Sequence, residues 1–197
     1  KLSRALKLPL RHINAFLAAA GYSSEYSEEP LEGENMAIVR EALEHMLNKH
    51  EPYPAFVINT SYKILMKNKG FDRLISFYIG ENSLNKYDNV MLLLFAEDGL
   101  KKYLKDWEKM EIFLLSRLWE EIILTQNSEL IKLFGEISKL KNCNAFFPSQ
   151  ISNNLPVLTI NLEKNSVKSG FFTTITTLGT PLDLTAQELR IESLYPA

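Results

Sequence analysis

Cysteine is nearly absent from this chain. One residue, Cys143, stands in 197. A single thiol excludes an internal disulfide framework and fits a reducing compartment such as the cytosol. Long apolar runs are missing too. The longest uncharged one extends from Val90 to Ala96, far short of the ~20 residues that a spanning helix needs. Neither charge dominates: 22 Lys and Arg face 24 Asp and Glu, a net charge of −2. That excludes the broad basic field of a nucleic-acid binder. The opening KLSRALKLPLRH lacks the apolar core and cleavage site of a secretory signal. Beginning with Lys1 rather than Met, the chain reads as part of something longer that extends upstream.

What is present is an ordinary globular composition, 46% hydrophobic and 23% charged. Two short helices are expected around Pro9, the first carrying Leu2 and Leu6. In the second, Leu10, Ile13, Phe16, Leu17 and Ala20 form a stripe that Gly21 ends. Ser23 to Glu34 is acidic, holds Pro30 and Gly33, and reads as a linker or laid-down loop. Asn35 to Lys49 predicts an amphipathic helix with Met36, Val39, Leu43, Met46 and Leu47 on one face. A hairpin follows, Ala55–Asn59 and Tyr62–Lys67. Next come a helix capped by Asn68 and a short buried helix from Asn89 to Phe95. Leu100 to Thr125 predicts the longest helix, apolar on two sides. Ser128 is the expected cap of the next, which runs to Leu140. Three strands close the chain: Pro156–Glu163, a threonine-rich strand after Gly170, and Leu189–Tyr195. Two strands, a helical excursion and three more strands is the order of a PAS-like sheet. The expected fold is therefore α+β: a five-stranded antiparallel sheet with helices over one face, preceded by N-terminal helices.

Catalytic and metal chemistry finds little support. His12, His45 and His50 have no i, i+4 pairing and no carboxylate motif around them. Cys143 lies in KNCNAFF without a second cysteine. No GxSxG, GxGxxG or Walker loop occurs, so neither an enzyme nor a metal site is expected. Two polar features stand out. Thr173, Thr174, Thr176 and Thr177 sit within an apolar strand, either as ladder-builders or as hydroxyls facing a pocket. In the pocket reading Phe172 and Thr174 share one face. Arg117 borders the apolar stripe of the longest helix. It either snorkels to solvent or offers its guanidinium fork to a ligand carboxylate.

The closing segment FFTTITTLGTPLDLTAQELRIESLYPA resembles the end of the MmyB-like transcription-regulator ligand-binding domain. HEPYPAFVIN (His50 to Asn59), FAEDGLKKYLKDWE (Phe95 to Glu108) and Arg117 resemble it as well. KLSRALKLPLRHINAFLAAAGYSSEY is similar to the tail of an XRE-type helix-turn-helix domain. The resemblance implies a division at 1–22 (end of that domain and linker helix), 23–34 (linker) and 35–197 (PAS-like ligand-binding domain). It implies a bacterial cytoplasmic regulator that acts as a homodimer and reaches DNA only through helices upstream of Lys1. It also implies a long aliphatic ligand such as a fatty acid, with no other cofactor and no membrane partner.

Stripes and strand faces supply the candidate site. The sheet offers Phe56, Ile58, Leu65, Phe172 and Thr174; the helices offer Phe71, Leu74, Ile75, Phe95, Trp107 and Leu114. Arg117 or the threonine row would meet the head group. The rival expectation is a ligand-free dimerisation module whose sheet–helix interface is filled by side chains.

Overall fold

In the computed structural model, which describes residues 8–23, 25–27, 29–83, 86–140 and 159–197, five strands make one antiparallel sheet. They are β1 (Ala55–Ile58), β2 (Ile64–Lys67), β3 (Thr159–Lys164), β4 (Val167–Thr176) and β5 (Arg190–Pro196). Their spatial order is β2-β1-β5-β4-β3, so the last strand lies at the centre, between the first and the fourth. Asn165 and Ser166 join β3 to β4, both at positive φ (49° and 67°). A two-residue turn of that hand matches the twist of the strands it joins. The helices are α1 (Leu10–Ala19), α2 (Ala37–Lys49), α3 (Lys69–Ile79), α4 (Val90–Phe95), α5 (Trp107–Thr125), α6 (Ser128–Leu140) and α7 (Leu184–Glu188). Two strands, an excursion of helices and a three-stranded return give the PAS-like arrangement, here α+β with helices ahead of the sheet.

Strand alternation divides the interior in two. Ala55, Val57, Leu189 and Ile191 pack with Leu43 and Leu47 of α2. Phe56, Ile58, Leu162 and Leu194 point the other way, towards α3–α6. Asn68 joins the two sides. Its side-chain oxygen accepts from the Ala55 and Phe71 N–H groups, and its amide donates to the Leu47 and Tyr53 carbonyls. It is thus both the expected cap of α3 and a buried tie between α2, β1 and α3.

Several expected boundaries move, each for a local reason. The long helix does not run from Leu100. Leu104 bridges Leu162 and the Lys105 N–H donates to the Asn161 carbonyl, so this stretch pairs with the edge of β3. Asp106, at φ 53°, then turns the chain into α5. Asn127, rather than Ser128, caps α6 by accepting from the Glu129 N–H. Within the expected stripe of α2, Met46 is exposed while Leu43 and Leu47 are buried. The short helix α7 was not foreseen. Asp183 caps it by accepting from the Ala186 N–H, inside what reads as a plain turn between strands. Gly21, at φ 77°, ends α1 as expected, and the Tyr22 N–H returns to the Leu17 carbonyl. Of the described residues of the expected linker, Ser27 bridges Asp183 and Leu31 is buried. The first N-terminal helix with Leu2 and Leu6, the loop with Cys143, and Pro156 to Leu158 lie outside the described residues.

Candidate ligand-binding cavity

The second of the two interiors is not filled. Between the sheet and helices α3–α5 lies a partly open cavity of about 360 Å³. That is within the range of small-molecule sites. Its walls are mainly apolar. Phe56, Leu162 and Leu194 come from the sheet, and Phe71, Leu74, Met91, Met110 and Leu114 from the helices. Polar groups gather in a few places: Tyr62, Arg117, Thr173 and Glu192.

Tyr62 is held there by its turn. It sits at φ 64°, a conformation that costs a bulky residue about 1–3 kcal/mol. Asn59 offsets this by accepting from the Ser61 and Lys63 N–H groups, while Asn89 donates to the Ser61 carbonyl. The Val90 N–H then donates to the Tyr62 carbonyl, tying the turn to the start of α4. The Tyr62 hydroxyl is buried and finds no hydrogen-bond partner among the described residues. Burial, helped by the negative charge of Glu121, pushes its pKa up to about 12, so it remains a donor. Its polar neighbours are Glu121 and Arg190, which stand close enough to act on it without an ordinary hydrogen bond.

The charged residues form one cluster. Arg190 of β5 pairs with Glu121 of α5 at 3.0 Å, and Arg117, one turn earlier on α5, stands 3.7 Å from the same carboxylate oxygen. Glu192, two residues beyond Arg190 on β5, shares its face. Its carboxyl group makes no ion pair or hydrogen bond to another described residue. Burial raises the Glu192 pKa, opposed by the Arg117 and Arg190 charges. On their outer side, Glu121 and Arg190 border a polar cleft that also holds Arg11 and Glu188. Arg11 of α1 and Glu188 of α7 pair across that cleft at 2.6 Å.

The expected site residues fall into three groups. Phe56, Phe71, Leu74, Leu114 and Arg117 line the cavity. Ile58, Ile75, Phe95 and Trp107 belong to the same core but stand behind the wall; Phe95 and Trp107 meet edge to face at 5.0 Å. Leu65, Phe172 and Thr174 face away from it. Leu65 sits where the β1–β2 register shifts, and the extra residue turns it towards the α2 side with Met66. On β4 the face is the opposite of the one expected: Thr173 and Ile175 reach the cavity, whereas Thr174 is exposed and Phe172 stacks on Tyr195 outside. Register with β5 decides this, since Thr173 lies beside Leu194 and Thr174 beside Ser193. Tyr62 and Glu192 were missed. The signal for Glu192 is the spacing Arg190-x-Glu192 in a strand between apolar neighbours. It puts two charges on one face of the central strand, where only a polar site accommodates them.

A PAS-like sheet roofed by helices over an apolar cavity with a few convergent polar groups defines a small-molecule-binding domain. The family model of the MmyB-like transcription regulator ligand binding domain matches residues 39–197, and the chain belongs to that family. A search of curated proteins finds no match to the chain. Among the described residues, no group of His, Cys, Asp and Glu side chains could hold a metal ion, and no helix is long and apolar enough to cross a membrane.

Proposed function

We propose that this regulator domain binds a fatty acid or similar aliphatic acid in the cavity. The chain would lie among Phe56, Phe71, Leu74 and Leu114, with the carboxylate facing Arg117. The carrying observation is a largely apolar space of about 360 Å³ in whose wall Arg117 is the only cation among the described residues. At ~0.8 kcal/mol per methylene, burying about ten of them contributes roughly 8 kcal/mol before association costs, enough for micromolar binding. A guanidinium suits a carboxylate because its fork donates two parallel N–H bonds. Occupancy would shift an equilibrium between conformations already accessible to the regulator and so reach DNA through upstream helices.

Denaturing extraction of the purified protein followed by mass spectrometry, with thermal-shift titration of decanoic to octadecanoic acids, tests this reading. The expected result is a co-purified acid or a clear rise in melting temperature. Neither appearing would overturn it. Arg117→Met should weaken binding of dodecanoate by about tenfold or more while leaving dodecanol nearly unaffected, because a hydrogen bond to a charged group contributes roughly 1.5–3 kcal/mol.

A dimerisation role has its own support. Ile123, Leu124 and Ile131, on the adjoining helices α5 and α6, are exposed at 55%, 77% and 49%. An apolar surface there suits a second copy of the chain and is compatible with a ligand inside. Analytical ultracentrifugation of Leu124→Glu tests it: the wild type should be dimeric and the variant monomeric.

A further inference from the structure

The charged end of the cavity is already balanced, and an anionic ligand would upset that balance. Among the described residues, Arg117 and Glu192 are the charged ones of the wall. Behind them stand Arg190 and Glu121, paired at 3.0 Å, with Arg117 at 3.7 Å from Glu121. With all four ionised the charges cancel. A carboxylate added to this set leaves one uncompensated negative charge in apolar surroundings, which is costly. With a proton on Glu192, the same site begins with one net positive charge and ends neutral.

Glu192 is placed to take that proton. It lies on the central strand, on the cavity face, and its carboxyl group has no ion pair or hydrogen bond to another described residue. Burial favours its neutral form, with Arg117 and Arg190 opposing. The other groups facing it do not compete. Tyr62 keeps its proton up to about 12, and Glu121 is committed to Arg190. From β1, β4, α3 and α4 come only uncharged side chains, such as Phe56, Thr173, Leu74 and Met91.

We propose that an aliphatic carboxylate enters this cavity together with one proton, which Glu192 holds, so that the domain responds jointly to the acid and to pH. The Glu192 O–H then donates to the ligand carboxylate while Arg117 donates from α5. No covalent bond forms or breaks; the proton comes from solvent and returns to it on release. This inference rests on the reading of the cavity as an acyl site.

Isothermal titration of the protein with dodecanoate and with dodecanol tests it. Titrations run between about pH 6 and about pH 9, where a free carboxylate is ionised, in buffers of different ionisation enthalpy. The expected result for dodecanoate is uptake of one proton per ligand at the alkaline end and a Kd that rises about tenfold per pH unit there. Dodecanol should show neither. In Glu192→Gln the slope and the proton uptake for dodecanoate should vanish, and at about pH 8 its binding should be tighter than wild type. A flat wild-type profile, or a slope that survives in Glu192→Gln because the ligand itself carries the proton, would overturn the proposal and leave the acyl site standing. Absence of dodecanoate and dodecanol binding at every pH would overturn both.

Discussion

The two faces of one sheet have been put to different uses. On the α2 side, Leu43, Val57, Leu189 and Ile191 are all 2% exposed or less, and side chain meets side chain. On the other side the same strands, read one residue out of phase, present Phe56, Glu192, Leu194 and Thr173 to an open space. Alternation supplies both faces automatically; what differs is the covering. One amphipathic helix lies directly on the first face. Over the second, α3–α5 leave a space beside the sheet, with the strained Tyr62 and the Leu104 that bridges Leu162 both in its lining. A filled face confers stability, and an unfilled one gives up stability for room.

Truncation should separate the faces most sharply. Leu43→Ala on the filled side should cost about 3 kcal/mol or more in urea denaturation, because it leaves a new hole among close neighbours. Leu114→Ala should cost about 1 kcal/mol, since its side chain already borders empty space. Equal costs would mean that the cavity closes in solution. Next in size, Asn68→Ala should lose about 2–3 kcal/mol, combining a lost cap with buried carbonyls and N–H groups left unpaired. Because that side chain ties both faces together, denaturation followed by near-ultraviolet dichroism and by tryptophan fluorescence should remain coincident in the wild type and separate in the variant.

Filling the cavity should reverse the usual penalty. Leu114→Trp should reduce dodecanoate affinity at least tenfold, about 1.4 kcal/mol, while shifting stability by less than about 1 kcal/mol. The same substitution at Leu43 should unfold the domain. The smallest effect concerns Glu192. Its pKa is raised in the folded protein from an ordinary value of 4.5, chiefly by burial. The folded state therefore holds this proton more tightly than the unfolded chain. Its contribution is present below about 4.5 and is lost as pH rises through the folded pKa. Glu192→Gln should match the wild-type melting temperature near about pH 4 and exceed it near about pH 8.

Legibility in the sequence followed the strength of each local signal. The order of strands and helices was readable because caps and turn residues punctuate it: Asn68, Asn89 and Gly21 do what their chemistry dictates. Some helix-borne wall residues, Phe71, Leu74, Leu114 and Arg117, were found because helical periodicity fixes a face, but Met91 and Met110 were not singled out, and Ile75, Phe95 and Trp107 stand behind the wall. Strand-borne ones were harder. On β4, Phe171 and Phe172 are adjacent and threonines occupy both faces, so the pattern does not choose a side; only the register with β5 does. Leu65 was misplaced because a bulge interrupts alternation, and bulges leave little trace in sequence. Glu192 and Tyr62 were overlooked for different reasons: Glu192 was taken only as part of the last strand, and Tyr62 was read as the first residue of a strand, whereas it sits in the turn before β2 at φ 64°.

A brominated dodecanoic acid, soaked or co-crystallised and located by anomalous scattering, tests the central claim most directly. The account predicts bromine density between α5 and the Phe56–Leu194 face of the sheet, with the carboxylate at Arg117. Density on the α2 face, or none at saturating ligand, would contradict it.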